Sequence, residues 1–354
     1  MPLIKTLQVR VRDKHTKLLR QMARDVNLVW NYYNELSAKH LNRTGQWLSA
    51  YDLQKYSKGS SRYLSIDSTA VQAIAEEFAT RRRQFCKAKL QWRRSGGVRR
   101  SLGWVPFKAG AARWVSGQVR YAGLYFKVWD SYGLSQYRFR AGSFSEDARG
   151  RWYFNVAVEI QPQPGCGKAA IGIDLGLKDI ATTTDPALKL EAGRWYRDQQ
   201  QKLGIAQRAR KKHRVRAIHA RIRNRRKNDL HQFSRKLVDR SAAIFVGNVS
   251  SQQLVKTSMA KSVLDAGWGQ LKTMLDYKCA HAGVVFEEVD ESYTTQRCSC
   301  CGSIPASRPK GRAALGIREW TCCECGASHN RDLNAARNIL ALGHERLAGG
   351  IPFL

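Results

Sequence analysis

Two kinds of side chain in this sequence have the chemistry and the spacing of metal ligands. Asp174 and Asp332 are single carboxylates, each at a point where a predicted secondary-structure element ends or begins. Six of the nine cysteines lie between Cys298 and Cys325. Carboxylate oxygens suit hard cations such as Mg²⁺, whereas thiolates suit Zn²⁺. The sequence therefore contains candidates for two different metal sites.

The cysteines form two C-x2-C pairs that are 20 residues apart, and each pair is followed by Gly. The four paired cysteines are Cys298, Cys301, Cys322 and Cys325. Four thiolates in this pattern suit one tetrahedral Zn²⁺ with a structural role, because no coordination position stays open for chemistry. Cys300 and Cys323 lie inside the pairs. Because they are also thiols, they are alternative ligands, and the sequence alone does not fix which four cysteines bind the metal. A redox function is the other interpretation, and the matched pairs around a basic loop disfavour it.

The stretch 169–184 reads AAIGIDLGLKDIATTT, an apolar run that ends on Asp174, followed by a Gly-containing turn and a second β-rich run. One interpretation is a hairpin in which the aspartate caps a turn. The other is the first strand of an RNase H-like sheet, because a carboxylate at the centre of a sheet is costly unless it is paired or binds a metal. Asp332 precedes a helical pattern, and a simple N-cap is the alternative there.

Composition indicates the partner. The 354 residues include 61 Lys and Arg and 28 Asp and Glu, a net charge of +33. Such a charge attracts polyanions, so nucleic acid is the expected partner and a membrane surface is the weaker alternative. The sequence contains no apolar run approaching 18 residues and no signal-peptide pattern at its N-terminus. We expect a cytoplasmic, nucleoid-associated protein that does not enter a membrane.

Residues 202–240 form a predicted basic helix with 15 Lys and Arg and two Asp. A charged helix face in solvent is the ordinary alternative, but such a face usually pairs both signs of charge. The near-absence of acids favours contact with phosphates. The candidate contacts are Arg208, Arg210, Lys211, Lys212, Arg214, Arg221, Arg225, Arg226 and Lys227.

Hydrophobic periodicity predicts the elements that position these groups. A strand over 3–10 and two helices, over 14–42 and after Asp67, precede a run of short alternating strands from about Gly103 to Ile160. This order predicts a small β-barrel with a helical insertion after its first strand. Further on, a strand over 242–249, a helix over 261–282 and a strand over 283–289 predict parallel strands, with a site at their carboxyl ends.

Three features in this order and spacing resemble the TnpB family, whose relatives include type V CRISPR effectors and Fanzor. They are GIDLG at 172–176, the double C-x2-C insert behind YTTQ at 293–296, and RDLNAARNI at 331–339. The resemblance implies a RuvC-like endonuclease, guided by a transposon-derived RNA, that cuts double-stranded DNA beside a short transposon-adjacent motif. It assigns Asp174 and Asp332 as the first and third catalytic carboxylates, which bind two Mg²⁺. Asn330 replaces the first, non-catalytic Asp of the family's D-R-D-x-N-A-A.

The second catalytic carboxylate departs from the family. The family usually has Glu where this chain has Gly247, which cannot bind a metal. Either the nuclease is inactive and the chain is an RNA-guided DNA-binding protein, or the carboxylate has relocated to the next strand end. Glu291 is the candidate there, and Glu288 and Asp290 are its competitors. A transposase that joins DNA strands without RNA is a third hypothesis.

The resemblance also implies an organisation of the chain. The expected fold is an α/β RNase H-like (RuvC) domain with a zinc-ribbon insert, preceded by a small β-barrel that carries a helical insertion. The expected ranges are 1–12 with 96–165 for the barrel, 13–95 for the insertion, 166–294 with 329–354 for the nuclease domain, and 295–328 for the zinc insert. Tyr51 and Gln72 are candidates for reading the adjacent motif, with core packing or surface polarity as the alternative. A monomer bound to its RNA is expected, although the sequence does not fix the oligomeric state.

Overall fold

The computed structural model describes residues 3–162, 164–165, 167–249, 254, 256–257, 259–310 and 316–349. The chain divides into two compact units, Met1–Gln161 and Pro162–Leu354. Among the helices in the described ranges, none is both long enough and apolar enough to cross a membrane.

The first unit contains two antiparallel sheets. Hydrogen bonding gives a five-stranded sheet in the order β2-β7-β8-β1-β6 and a three-stranded meander, β3-β4-β5. The strands are β1 (Leu3–Val11), β2 (Trp104–Phe107), β3 (Ala112–Val115), β4 (Gln118–Tyr121), β5 (Leu124–Phe126), β6 (Val128–Trp129), β7 (Phe139–Glu146) and β8 (Trp152–Ile160). No strand pairing within the described residues joins the two sheets, so the predicted barrel is instead a pair of separately hydrogen-bonded sheets.

An aromatic core fills the first unit. The ring of Phe144 lies 4.9 Å from that of Phe126 and 5.1 Å from that of Phe154. A single strand is predicted over 114–121, but Ser116 and Gly117 adopt φ of 47° and 74° and make a two-residue hairpin loop between β3 and β4. Such loops require positive φ at both positions, which Gly adopts at little cost.

Three helices follow β1: α1 (Thr16–Thr44), α2 (Ala50–Tyr56) and α3 (Ser68–Phe85), of which the sequence predicts the first and the third. Asp67, after which the sequence predicts this helix, is the N-cap of α3, because its carboxylate accepts a hydrogen bond from the backbone N–H of Ala70. Helix α2 was not predicted. It has only seven residues and one buried side chain, Leu53, so no hydrophobic period is visible. A capping box of Ser49 and Asp52 starts it.

The second unit is built on a five-stranded sheet in the order β11-β10-β9-β12-β13. Its strands are β9 (Ala169–Asp174), β10 (Asp179–Thr183), β11 (Leu190–Glu191), β12 (Ser241–Gly247) and β13 (Val285–Val289). Strands β9, β10 and β11 pair antiparallel, whereas β9, β12 and β13 run parallel. The predicted parallel strands are therefore confirmed, and their carboxyl ends share one edge.

Helices lie between and after these strands: α4 (Arg197–Arg208), α5 (Lys212–Arg240), α6 (Ala260–Ala266), α7 (Trp268–Ala282) and α8 (Arg331–Ala348). Two helices predicted as continuous are each divided. The basic helix breaks between α4 and α5, where Arg210 has φ of 52°, and the helix over 261–282 breaks at Gly267, with φ of 70°. Positive φ cannot continue a right-handed helix.

Helix α8 packs directly on the backbone of β9. A Cβ at Gly172 would collide with the carbonyl oxygen of Ala336, and a Cβ at Gly343 would collide with the ring of Phe245. Bare backbone at these two positions lets helix and sheet approach closely. A short hairpin, β14 (Glu319–Thr321) and β15 (Ser328–Asn330), leads directly into α8.

Candidate functional site

The carboxyl ends of the three parallel strands lie at one level. Ile173 pairs with Val246, and Gly247 pairs with Val289. Asp174 ends β9, Gly247 ends β12, and Glu291 follows the end of β13 by two residues. The register therefore brings these three positions to the same edge of the sheet.

Glu291 occupies the space that a side chain at position 247 would need. A Cβ built on Gly247 would lie 2.5 Å from Glu291 Oε2 and 3.2 Å from Glu291 Cβ. The turn after β13 fixes this position. The Glu291 backbone N–H donates to Asn248 Oδ1 at 3.3 Å, and the Glu291 carbonyl accepts from the Thr294 hydroxyl at 2.8 Å.

The other acids of this segment bond to other groups. Their partners are Arg346 for Glu287 (2.6 Å), Lys272 for Glu288 (2.6 Å) and the Ser292 backbone N–H for Asp290 (3.1 Å). Glu291 makes no ion pair with the described part of the chain. Of the three candidates from the sequence, Glu291 is the one directed at the gap beside Gly247.

Asp332 lies in the first turn of α8. Asn330 caps that helix by accepting from the backbone N–H groups of Asp332 and Leu333. The carboxylate of Asp332 accepts from Arg318 Nη1 at 2.9 Å through both oxygens. Asn330 therefore caps α8 as an aspartate would, but without placing another negative charge beside the carboxylates.

The electrostatics indicate a site in which the charges of Arg331 and Arg318 do not offset the burial and mutual repulsion of the carboxylates. Burial, together with the nearby charges of Asp332 and Glu291, raises the pKa of Asp174 to about 8. Burial also raises the pKa of Glu291. Like charges this close oppose one another's ionisation. Three hard oxygen donors with this deficit suit a divalent cation such as Mg²⁺.

The four paired cysteines come together as a metal site. Their sulfurs lie within 4.8 Å of one another, the only such group of His, Cys, Asp and Glu found among the described residues. The sulfur of Cys298 is 3.7 Å from that of Cys325, and the sulfur of Cys301 is 3.8 Å from that of Cys322. A tetrahedral Zn²⁺ with Zn–S bonds of about 2.3 Å requires sulfurs about 3.8 Å apart. The cluster therefore fits zinc, and the three carboxylates are more widely spaced.

Two residues near these sites were missed by the sequence reasoning. Nε2 of His329 lies 3.0 Å from the sulfur of Cys298, and its ring packs 4.9 Å from that of Trp320. Arg318 contacts Asp332. His329 lies two residues before the motif at 331–339, and nothing in its sequence context indicates that its ring lies beside the cysteines. Nothing in the sequence around Arg318 distinguishes it from the other arginines.

Most of the basic candidates lie on exposed positions of α4, α5 and the break between them: Arg208, Arg210, Lys211, Lys212, Arg214, Arg221, Arg225 and Lys227. Arg226 differs. It is half-buried, and its Nη1 donates to the carbonyl of Leu264 at 2.8 Å. Its Nη1 therefore has a backbone partner within the protein, and a contact between Arg226 and phosphate stays a prediction.

Tyr51 and Gln72 lie in one open groove of the first unit, with a volume of about 360 Å³. Tyr51 is 70% exposed, and Lys55 Nζ lies 4.7 Å from its ring centroid. Core packing, the alternative for Tyr51, is therefore wrong. The groove combines an aromatic ring, an amide and a cation.

Two family models match this chain, both almost entirely within the second unit. Residues 153–258 match the family model described as "Probable transposase", and residues 268–339 match the model of the Cas12f1-like TNB domain. A cryo-EM structure of a Cas12f1 with sgRNA and target DNA superposes with a TM-score of 0.60 at 12% identity, over 96% of this chain and 99% of that one. This likeness shows the fold alone, which this chain shares with that Cas12f1.

Two curated relatives were compared by sequence. The "Putative RNA-guided DNA endonuclease" of Streptomyces pristinaespiralis is 35% identical over 58% of this chain and 53% of its own length. InsQ of Escherichia coli K12, which carries the same name, is 28% identical over 57% and 56%. The chain thus spans about half the length of the curated relatives it matches. The resemblance to TnpB-type proteins seen in the motifs is confirmed by these matches, which extend over parts of the chain.

Proposed function

We propose that this chain is an RNA-guided DNA endonuclease whose second unit is an RNase H-like (RuvC) nuclease domain with a zinc insert over 295–328. The observation that carries the proposal is the position of Glu291 over Gly247, at the edge of the sheet that also carries Asp174. A chain that had merely lost the second carboxylate would have no reason to direct another acid into the same space.

Asp174, Glu291 and Asp332 would hold the Mg²⁺ ions. The ions, when bound, supply a nucleophilic water and neutralise charge on the scissile phosphate. Asp174, whose pKa is raised to about 8, would bind an ion as the carboxylate, and its proton would pass to solvent water. Asn248 and Thr294 form hydrogen bonds with the backbone of Glu291. These bonds hold the residue at the edge of the sheet, where its carboxylate would bind the cation. Arg318 must release Asp332 or share it with the cation.

Recognition would combine base pairing with contacts to the duplex. The exposed arginines and lysines of α4 and α5 would contact phosphates of the guide RNA and of the double-stranded target DNA. Sequence would be read by the guide. We propose that the groove with Tyr51 and Gln72 reads the short motif beside the target, since its aromatic ring, amide and cation are groups that contact base edges.

Cleavage of target DNA by the purified chain with its guide RNA and Mg²⁺ tests the proposal. Sequencing the RNA that co-purifies with the chain identifies the guide. Glu291→Gln and Asp174→Asn should each lower the cleavage rate on the order of 10³-fold or more, because each removes a metal-binding charge. Target binding should persist.

Two neighbouring acids are matched controls. Glu288→Gln and Asp290→Asn remove a charge within three residues of Glu291, but both acids bond elsewhere. They should retain cleavage within a few fold. If Glu288→Gln abolishes cleavage and Glu291→Gln does not, the assignment of Glu291 is wrong.

A nuclease-dead, RNA-guided DNA-binding protein that acts as a repressor or regulator of transposition is the second candidate. The contact of Arg318 with both oxygens of Asp332 favours it, because this cation occupies a carboxylate that the metal needs. A wild-type complex that binds the target tightly but leaves it uncut in Mg²⁺ would decide for this candidate.

A further inference from the structure

A segment of the first unit, Leu90–Ser95, has no regular secondary structure but is held against α1 by side-chain amides. Asn34 exchanges two hydrogen bonds of 2.8 Å with the backbone of Leu90, and Asn31 exchanges bonds of 2.8 and 2.9 Å with that of Arg93. Asn27 donates to the Ser95 hydroxyl at 3.1 Å. The three side-chain amides supply hydrogen bonds of the kind that a neighbouring strand would supply, and these bonds fix the segment in place.

The segment presents an exposed aromatic side chain. Trp92 is 47% exposed, and nearby Phe85 is 55% exposed. Lys89 Nζ lies 5.0 Å from the Trp92 ring centroid. All three line one open groove of about 790 Å³, within the range of about 300–1,000 Å³ seen for small-ligand sites. An indole on a fixed backbone can serve as a stacking platform.

The charge around the groove is mainly positive. Residues 81–100 contain nine Lys and Arg and no Asp or Glu. The nearest acids are already paired, Glu77 with Arg81 at 2.6 Å and Glu35 with Lys89 at 2.7 Å. Arg93 also has neutral partners, since it donates to Asn27 and to the carbonyl of Leu102. Lys87, exposed in the lining, has no acid partner among the described residues.

We propose that this groove binds an unpaired nucleotide of a single-stranded nucleic acid, with the base stacked on Trp92 and the adjoining phosphate contacted by Lys87. Exposed aromatic rings beside cations are the parts that single-strand binding uses. A small apolar ligand would not need the charge, and a regular duplex would not present a base face. The inference rests on the proposed function only in taking nucleic acid as the ligand.

The test uses the full chain and oligonucleotides of about ten residues, in RNA and DNA versions, that carry one 5-iodouracil. Irradiation should crosslink the iodinated base to the peptide that contains Trp92. In fluorescence anisotropy, Trp92→Ala should weaken binding about 5- to 150-fold, the range for one lost base stack, and Trp92→Phe should lose much less. With an oligonucleotide that lacks the stacked base, Trp92→Ala should bind with nearly the same affinity as wild type.

Salt dependence separates the two residues. Lys87→Gln should lower the slope of log K against log salt by about 0.7, whereas Trp92→Ala should leave the slope unchanged. Tyr63→Ala and Lys17→Gln, at exposed positions outside the groove lining, are the matched controls.

The tighter-binding oligonucleotide set, RNA or DNA, identifies the source of the nucleotide. Equal affinity of Trp92→Ala and Tyr63→Ala, with crosslinks only in other peptides, would overturn the inference. The proposed nuclease would survive that result, because its own test is the loss of cleavage in Asp174→Asn.

Discussion

Glu291 illustrates how far residue spacing alone can locate a functional group. The missing carboxylate at Gly247 and an acidic cluster at the next strand end can both be read from the sequence, but three acids compete there. Only the structure distinguishes them, because Lys272 of another element pairs with Glu288, and Asp290 accepts hydrogen bonds from Ser292. Assignment of Glu291 as a metal ligand remains a prediction.

Moving the carboxylate back to β12 is a direct test at the residue scale. Glu291→Ala should abolish Mg²⁺-dependent cleavage, and the double variant Gly247→Glu with Glu291→Ala should recover part of it, because both side chains start at the same edge of the sheet. Cleavage rates of the two variants under identical RNA and Mg²⁺ concentrations give the comparison. No recovery, in a double variant that still binds target DNA, would mean that the two positions are not equivalent.

The same crowding predicts the outcome for Gly247→Glu alone. With Glu291 present, the new Cβ would lie 2.5 Å from Oε2, so one of the two carboxylates must move. We expect this single variant to cleave less well than wild type. A gain in rate would contradict the view that the two acids share one space.

At the scale of elements, hydrophobic periodicity found the long helices and the parallel strands but missed what depends on single backbone angles. The breaks at Arg210 and Gly267 and the turn at Ser116 are examples. Short α2 and the hairpin β14–β15 were missed because neither is long enough to show a period. Arg318 could not be found for the same reason, since its place depends on that hairpin.

The hairpin β14–β15 links the cysteine site to the carboxylates. The carbonyl of Arg318, just before β14, accepts from the backbone N–H of Arg331 at 2.7 Å, and Cys322 directly follows the strand. Loss of zinc should therefore loosen the start of α8, which carries Asp332, as well as the cysteine loop.

Elemental analysis should find about one zinc per chain. Cys322→Ser should lose the metal and should also lower cleavage, because a structural zinc supplies folding free energy to the hairpin. Cys323→Ser is the matched control, since Cys323 is exposed and stands outside the four-sulfur group. Full zinc content in Cys322→Ser would rule out the four-thiolate site.

At the scale of the whole molecule, the strongly basic chain still contains a buried acid at a structural position. Glu146 in β7 is 4% exposed and accepts from Arg100 at 2.7 and 2.9 Å and from the Gly103 N–H at 3.0 Å. Burial alone would raise the pKa of Glu146, but these bonds outweigh it and hold the pKa below its ordinary value. A lowered pKa in the folded state stabilises the fold at neutral pH, and this contribution is lost as pH falls.

Glu146→Gln should destabilise the first unit by about 2–3 kcal/mol at pH 7, because it leaves Arg100 without its partner. The difference from wild type should begin to shrink below about pH 4.3, where the unfolded chain takes up the proton first, and should vanish once the pH falls below the lowered pKa of the native carboxyl. Thermal unfolding followed across this pH range measures it. Glu159→Gln, which breaks the exposed pair with Arg140, should cost less than about 1 kcal/mol.

The amide contacts of Asn27, Asn31 and Asn34 also bear on how the protein can be handled. Bonds between neutral groups are hardly screened by ions, whereas contacts between lysine or arginine and phosphate weaken steeply as ionic strength rises. A concentrated-salt wash should thus strip co-purified nucleic acid from the first unit while Leu90–Ser95 stays in its folded place. After the salt is removed, the nucleic-acid-free protein should bind an added oligonucleotide of known sequence.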